Sequence, residues 1–161
     1  MIRLETTPGP RLRGLLTYSD GDQSFNFVAD ASEERALETH GGTTSLVLDT
    51  LQLEADAETG RVLYPRGLLP RGSWQNAELQ RPQAEDGVCT AHLDGDELVP
   101  GVSEKVLASD WVAEFDAAKG ILRVSTSLGG VGTLTRIADG AYIGIHVGEL
   151  RELWLLPEYV D

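Results

Sequence analysis

Two stretches of this chain, LEADAETGRVLY at Leu53–Tyr64 and AEFDAAKGILRV at Ala113–Val124, follow one pattern at an offset of sixty residues. Each is an alternating apolar–polar run, a polar turn closed by glycine, and a second alternating run. Glu54, Asp56, Ala57 and Gly60 meet Glu114, Asp116, Ala117 and Gly120. Alternation with period two places the apolar side chains on one face of a strand, so each stretch predicts a hairpin with a single buried face. The closing glycine supplies the positive φ that such a turn commonly requires. Duplication and shared hairpin grammar both account for the recurrence.

The remaining segments extend the same architecture. Asp86-Gly87 precedes VCTAHLDGDEL and Asp139-Gly140 precedes AYIGIHVGEL, and both read as strand, tight turn, strand. GLLTYSDGDQSFNFV adds an N-terminal hairpin over about 11–29, with Asp20-Gly21 as its two-residue turn. One short helix is expected near 32–40: Asp30 or Ser32 caps it, Glu33 completes an Asp-x-x-Glu box, EERALETH follows, and Gly41-Gly42 end it. A second helical turn near 103–108 carries a weaker signal. PRGLLPRGSWQNAELQRPQ holds three prolines, which speak against a central strand, so it reads as a long ordered loop. GELRELWLLPEY reads as a closing strand. The fold class predicted is mainly β, an antiparallel sandwich or partly open barrel of repeated hairpins. Residues 1–161 form one domain in this reading, with pseudo-halves at about 43–100 and 103–158.

A chain of 161 residues buries enough surface to need no metal or disulfide staple, and Cys89, its single cysteine, has no internal partner. MIRLETTPGP carries no apolar stretch before Pro8 and Pro10, so no secretory signal is expected and the cytoplasm is the expected compartment. Charge narrows the partners. Twenty-six acids against 13 bases leave a net charge of −13. Such a surface repels phosphate backbones and anionic lipid, so neither nucleic acid nor membrane is expected, whereas a basic protein would be attracted and steered. All the bases except Lys105 and Lys119 are arginine, a preference that fits a GC-rich bacterial genome.

The C-terminal residues 111–158 resemble a family of very short prokaryotic β-modules of unknown function. EFDAAKGILRVSTS followed by IADGAYIGIHVGELRELWLLP carries the resemblance. Asp116, Leu122, Val124, Asp139, Gly140 and the apolar residues of Leu150–Leu156 occupy the family's hairpin, strand and Asp-Gly turn positions. Two features depart from that pattern: the strand after Gly120 lacks the usual aromatic, and the turn before Leu150 is shortened. The resemblance implies a β fold and no activity.

Catalytic and metal chemistry find little support. His40, His92 and His146 show no metal-ligand spacing. Asp20-Gly-Asp22 begins like a calcium loop but has Phe25 where the sharp-turn glycine must be and Ala31 where the bidentate glutamate must be. There is no Gly-x-Ser-x-Gly elbow. Cys89 and His92 fall on opposite faces of one strand, so Cys89 reads as a core residue. Gly129-Gly130-Val131-Gly132 lacks a P-loop lysine and reads as a turn or bulge. No cofactor, metal or catalytic residue is therefore expected.

Two binding readings compete. In the first, the chain is a non-enzymatic acidic protein-binding module, of which a toxin-neutralising immunity protein is the concrete version. Asp94, Asp96 and Glu97 would steer a basic partner, with Arg71 and Trp74 as anchors. In the second, Arg66, Arg71 and Arg81, on the proline-stiffened segment 65–82 beside Trp74, grip a small anionic ligand or substrate bidentately. The ligand reading requires a concave pocket where the arginines converge; the protein-binding reading requires an open acidic face. Self-association through exposed sheet edges is a third expectation.

Overall fold

The computed structural model describes residues 2–38, 42–106, 109–127 and 133–161. The longer alternating runs form strands, joined by shorter ones: β1 (Ile2–Pro8), β2 (Gly14–Ser19), β3 (Ser24–Ala29), β4 (Thr43–Leu48), β5 (Leu51–Asp56), β6 (Arg61–Leu68), β7 (Trp74–Asn76) and β8 (Glu85–Leu93). They continue as β9 (Glu104–Lys105), β10 (Val112–Asp116), β11 (Ile121–Ser125), β12 (Leu134–Ala138), β13 (Ala141–His146), β14 (Glu149–Leu155) and β15 (Glu158–Val160). All join one sheet in the order β15-β2-β3-β6-β8-β12-β13-β14-β11-β10-β7, which curls into an open half-barrel. Strand β1 branches onto β8, and β5, β4 and β9 branch from β6. The protein is mainly β, and no helix of the described residues is long and apolar enough to cross a membrane.

Neighbouring hairpin strands pair antiparallel, but four short contacts are parallel: β15 with β2, β12 with β8, β10 with β7, and β4 with β9. These stitch together segments distant in sequence. The inner face buries Leu12, Tyr18, Leu46, Leu53, Cys89, Leu122, Ile143 and Leu153 in one cluster that runs from Ile2 to Leu155. A second cluster of Leu79, Ile121, Tyr142 and Trp154 forms apart from the first. Consecutive residues Ile121-Leu122 and Leu153-Trp154-Leu155 are therefore all buried, because the strands that carry them are covered on both faces.

Several local expectations are corrected. The N-terminal hairpin closes through four residues, Asp20–Gln23, with Ser19 opposite Ser24 and the positive φ at Gln23 rather than at Gly21. The expected helix is a 3₁₀ turn, Ala31–Glu33, followed by the four-residue α1 (Glu34–Leu37). Asp30 makes no side-chain cap; its carbonyl accepts the Glu33 N–H instead, so the capping box does not form. His40 and Gly41, at the expected helix end, lie outside the described residues, as does 128–132 with its glycine-rich run. Pro65 and Arg66 belong to strand β6 rather than to a loop. Proline is accommodated where β6 changes neighbours on one edge, leaving β8 after Val62 and meeting β3 from Gly67. Asp86-Gly87, which precedes the expected strand, lies inside β8, between β1 and β12. After the Asp94-Gly95 turn the expected second strand is reduced to one bridge, Leu93 with Asp96.

Candidate functional site

The two stretches singled out for binding fold very differently. Arg71 opens a 3₁₀ turn, Arg71–Ser73, set between Pro70 and Trp74. Its guanidinium lies over four aromatic rings, with its carbon 5.5 Å from the Tyr18 centroid, 4.6 Å from Trp74, 5.4 Å from Phe115 and 5.3 Å from Tyr159. Its Nε also donates to the Asp20 carboxylate, and its backbone N–H donates to Gln23 Oε1 at 3.0 Å. The rings arrive from separate elements: Tyr18 from β2, Trp74 from β7, Phe115 from β10 and Tyr159 from β15. Parallel pairing of β15 with β2 sets Tyr159 against Tyr18, and that of β10 with β7 sets Phe115 within two positions of Trp74. Burial pushes the Tyr159 hydroxyl up to about 12 and raises Tyr18 as well, although Arg71 opposes both shifts. Both phenols are thus neutral donors at physiological pH, Tyr18 to the Leu69 carbonyl at 2.8 Å and Tyr159 to that of Gly120 at 3.0 Å.

The other two arginines do not join this arrangement. Arg66 projects from β6 with its Nη1 3.9 Å from the buried Glu54, whose carboxylate also accepts the Ser45 hydroxyl at 2.5 Å. It lines a shallow cleft with Ser24, Asn26, Phe27 and Tyr64, which neither Arg71 nor Arg81 enters. Arg81 is exposed on the loop that leads to β8.

No protein-family model matches this sequence, and no curated protein is significantly similar to it. Function must therefore be read from the residues themselves.

Asp94, Asp96 and Glu97 are exposed on the turn after β8. Asp94 lies 3.7 Å from Arg3 on β1, a solvent-exposed pair of the kind that contributes little. Asp96 and Glu97 line a cleft of about 480 Å³ together with Glu58, His92, Ala91, Leu93, Leu98 and Pro100. Glu58 comes from the β5–β6 turn, which packs against β8 because the Gly60 carbonyl accepts the Ala91 N–H at 2.7 Å. A neighbouring depression adds Val99 and Glu104 to the same acids. His92 Nε2 sits 3.1 Å from Glu5 at the exposed end of this region. Sequence reasoning found the three turn acids but not Glu58, which the β5–β6 turn brings to the cleft, or Glu5, which the pairing of β1 with β8 brings to His92.

Burial pushes the Cys89 thiol up to about 12, which leaves it protonated and unreactive. Among the described residues, no group of three or more His, Cys, Asp or Glu side chains is placed to hold a metal ion.

Proposed function

We propose that this protein is a non-enzymatic binding module that docks a basic protein at the acidic cleft between the β5–β6 turn and the segment after β8. The carrying observation is the composition of that cleft. Its lining combines three acids, Glu58, Asp96 and Glu97, with the apolar residues Ala91, Leu93, Leu98 and Pro100. A cleft that mixes apolar side chains with carboxylates suits a partner that packs a lysine or arginine alkyl stem and leaves its charged head among the acids. The net charge of −13 supports the same reading by steering a basic partner over a longer range. A toxin-neutralising immunity protein is the concrete form of this proposal, supported by the composition of the chain. The anionic-ligand alternative has less behind it, because Arg71 already lies on aromatic rings beside Asp20 and Arg66 faces Glu54.

The test compares the wild type with an Asp94→Asn, Asp96→Asn, Glu97→Gln variant, each immobilised and exposed to lysate of the source organism at low salt. A basic protein should be retained by the wild type and elute at high salt, and the variant should release it earlier. Association should be slower for the variant at low salt and converge with wild type near 1 M salt, where screening acts over about 3 Å. Identical elution from both columns would remove these acids from the interface.

A further inference from the structure

The aromatic rings beneath Arg71 close a circuit. Tyr18 meets Trp74, and Trp74 meets Phe115, with centroids 4.9 Å apart in both pairs. Phe115 meets Tyr159 at 5.7 Å, and Tyr159 returns to Tyr18 at 6.0 Å. Every neighbouring pair is inclined by 55° to 63°, so the four rings form a bowl rather than a stack. Aromatic faces carry the negative end of a quadrupole, and a cation within about 6 Å of several faces is attracted by all of them.

The bowl does not depend on Arg71 for its shape. Tyr18 is fully buried and also packs edge-on against Phe25 at 4.9 Å. The two tyrosine hydroxyls are engaged with the Leu69 and Gly120 carbonyls, which fixes their rings. Strand pairing anchors Trp74 through Ala113 and Tyr159 through Tyr18. Arg71 is the less constrained part: 38% of its side chain is exposed, and its ion-pair partner Asp20 is 47% exposed. An ion pair this exposed contributes little. The arrangement thus combines an aromatic bowl held by strand pairing, a carboxylate beside it and a partly exposed cation over the rings.

We propose that the bowl of Tyr18, Trp74, Phe115 and Tyr159, with Asp20 as counter-charge, is a recognition site for a weakly hydrated organic cation, a guanidinium or a methylated ammonium, and that Arg71 fills it as a displaceable internal ligand. The site uses none of the residues of the acidic cleft and stands independently of the function proposed there. Desolvating such a cation costs less than desolvating a primary ammonium, which favours it at an apolar surface. An incoming cation competes with a tethered one, whose effective concentration is in the millimolar range.

The experiment uses Arg71→Ala and Arg71→Gln, each first checked for a cooperative thermal transition. Each variant and the wild type are titrated with N-acetylarginine amide and with tetramethylammonium chloride, against sodium chloride at matched ionic strength. Ring-proton NMR shifts of the four aromatic residues report occupancy. Saturable shifts at these rings with the organic cations, and none with sodium, are expected in the variants. The wild type should need at least about tenfold more ligand, because Arg71 must be displaced. Folded variants whose rings respond no more to the organic cations than to sodium would overturn the site. Equal half-saturation in variant and wild type would overturn the role given to Arg71. If neither variant folds, the Arg71 Nε–H resonance of the wild type decides: it must move to its solvent-exposed position as ligand rises to about 100 mM, and a stationary resonance overturns the proposal.

Discussion

The carboxylate of Asp116 accepts a hydrogen bond from the Leu79 backbone N–H at 2.9 Å, tying a hairpin turn to a loop 37 residues earlier in the chain. The same carboxylate accepts the N–H groups of Ala118 at 3.1 Å and Lys119 at 3.2 Å, while Lys119 Nζ donates to the Leu79 carbonyl at 2.6 Å. Leu79 is thereby held over Ile121, Tyr142 and Trp154. The bond from Leu79, with those from Lys119 and Ala118, holds the Asp116 carboxyl below the usual carboxylate range against the opposing effect of burial. A depressed pKa contributes stability that is present above the unfolded value near 3.9 and lost as pH falls through the folded one. Asp116→Ala should accelerate hydrogen exchange at Leu79 while the amides of β13 and β14 stay protected. In the wild type, the Leu79 amide shift should titrate below about pH 4. Unchanged exchange at Leu79 in the variant would show that apolar contacts alone hold the loop.

Arg11 bridges two acids. Its Nε donates to Asp139 at 2.5 Å and its Nη1 to Asp86 at 2.8 Å, while Arg136 donates to the other Asp86 oxygen at 2.7 Å. The Gly14 N–H donates to the second Asp139 oxygen at 3.0 Å. These bonds clamp the approach to β2 onto β8 and the β12–β13 turn. Only 26% of the Arg11 side chain is exposed, so its loss leaves two partly buried acids without a shared cation. Arg11→Ala should cost about 2 kcal/mol, or roughly 4–8 °C in Tm at this chain length. The hydrogen bond from Arg136, then that from Arg11, lowers Asp86; burial raises Asp139, but Arg11 and the Gly14 N–H more than offset it. Both folded-state values are depressed, so the stabilisation holds above the unfolded range and fades as pH falls through them. Thermal melts should therefore show the gap between variant and wild type narrowing below about pH 4. A constant gap would assign the effect to packing of the Arg11 stem.

Cys89 offers a check on the core itself. With the thiol pushed up to about 12 and wholly buried, almost no thiolate exists at neutral pH. A maleimide should leave the native protein unmodified, and labelling should appear only as denaturant opens the sheet, along the same curve as the loss of Trp fluorescence. Labelling that precedes unfolding would reveal local opening around β8.

The hairpins were legible because period-two alternation and a turn glycine are local signals, and both survive packing. What escaped notice depends on distant segments. Strands β7, β9 and β15 are two or three residues long and pair parallel with partners far away, so nothing in WQN, EK or EYV announces them. Ile121-Leu122 and Leu153–Leu155 break the alternation because the strands bearing them are covered on both faces. The three turn acids could be picked out as a charge cluster, whereas Glu58 joins their cleft only through the packing of β6 on β8. Arg71 could be singled out, but its surroundings could not. Tyr18, Phe115 and Tyr159 each read as ordinary strand positions, and Asp20 as a turn residue, until the parallel pairings bring them together.

The matched glycines at the ends of the two hairpin turns show how equal sequence can carry unequal consequences. Gly60 and Gly120 have φ of 77° and 69°, and each donates its N–H to the carbonyl of the aspartate that opens its turn, at 2.7 and 2.8 Å. Alanine at either position adopts a left-handed conformation that costs about 1–2 kcal/mol. Their surroundings then separate them. A Cβ at Gly60 would lie 2.3 Å from the Ala91 carbonyl oxygen, on a strand fixed by β1 on its far side. A Cβ at Gly120 would meet only the edge of the Tyr159 ring, at 3.4 Å. Gly120→Ala should therefore cost little beyond the backbone strain. Gly60→Ala must also push β6 away from β8 and weaken the bond from Ala91 N–H to the residue 60 carbonyl, adding about 1–3 kcal/mol. Denaturant unfolding of the two variants tests this directly. Equal losses would mean that the β5–β6 turn yields more readily than its packing against β8 implies.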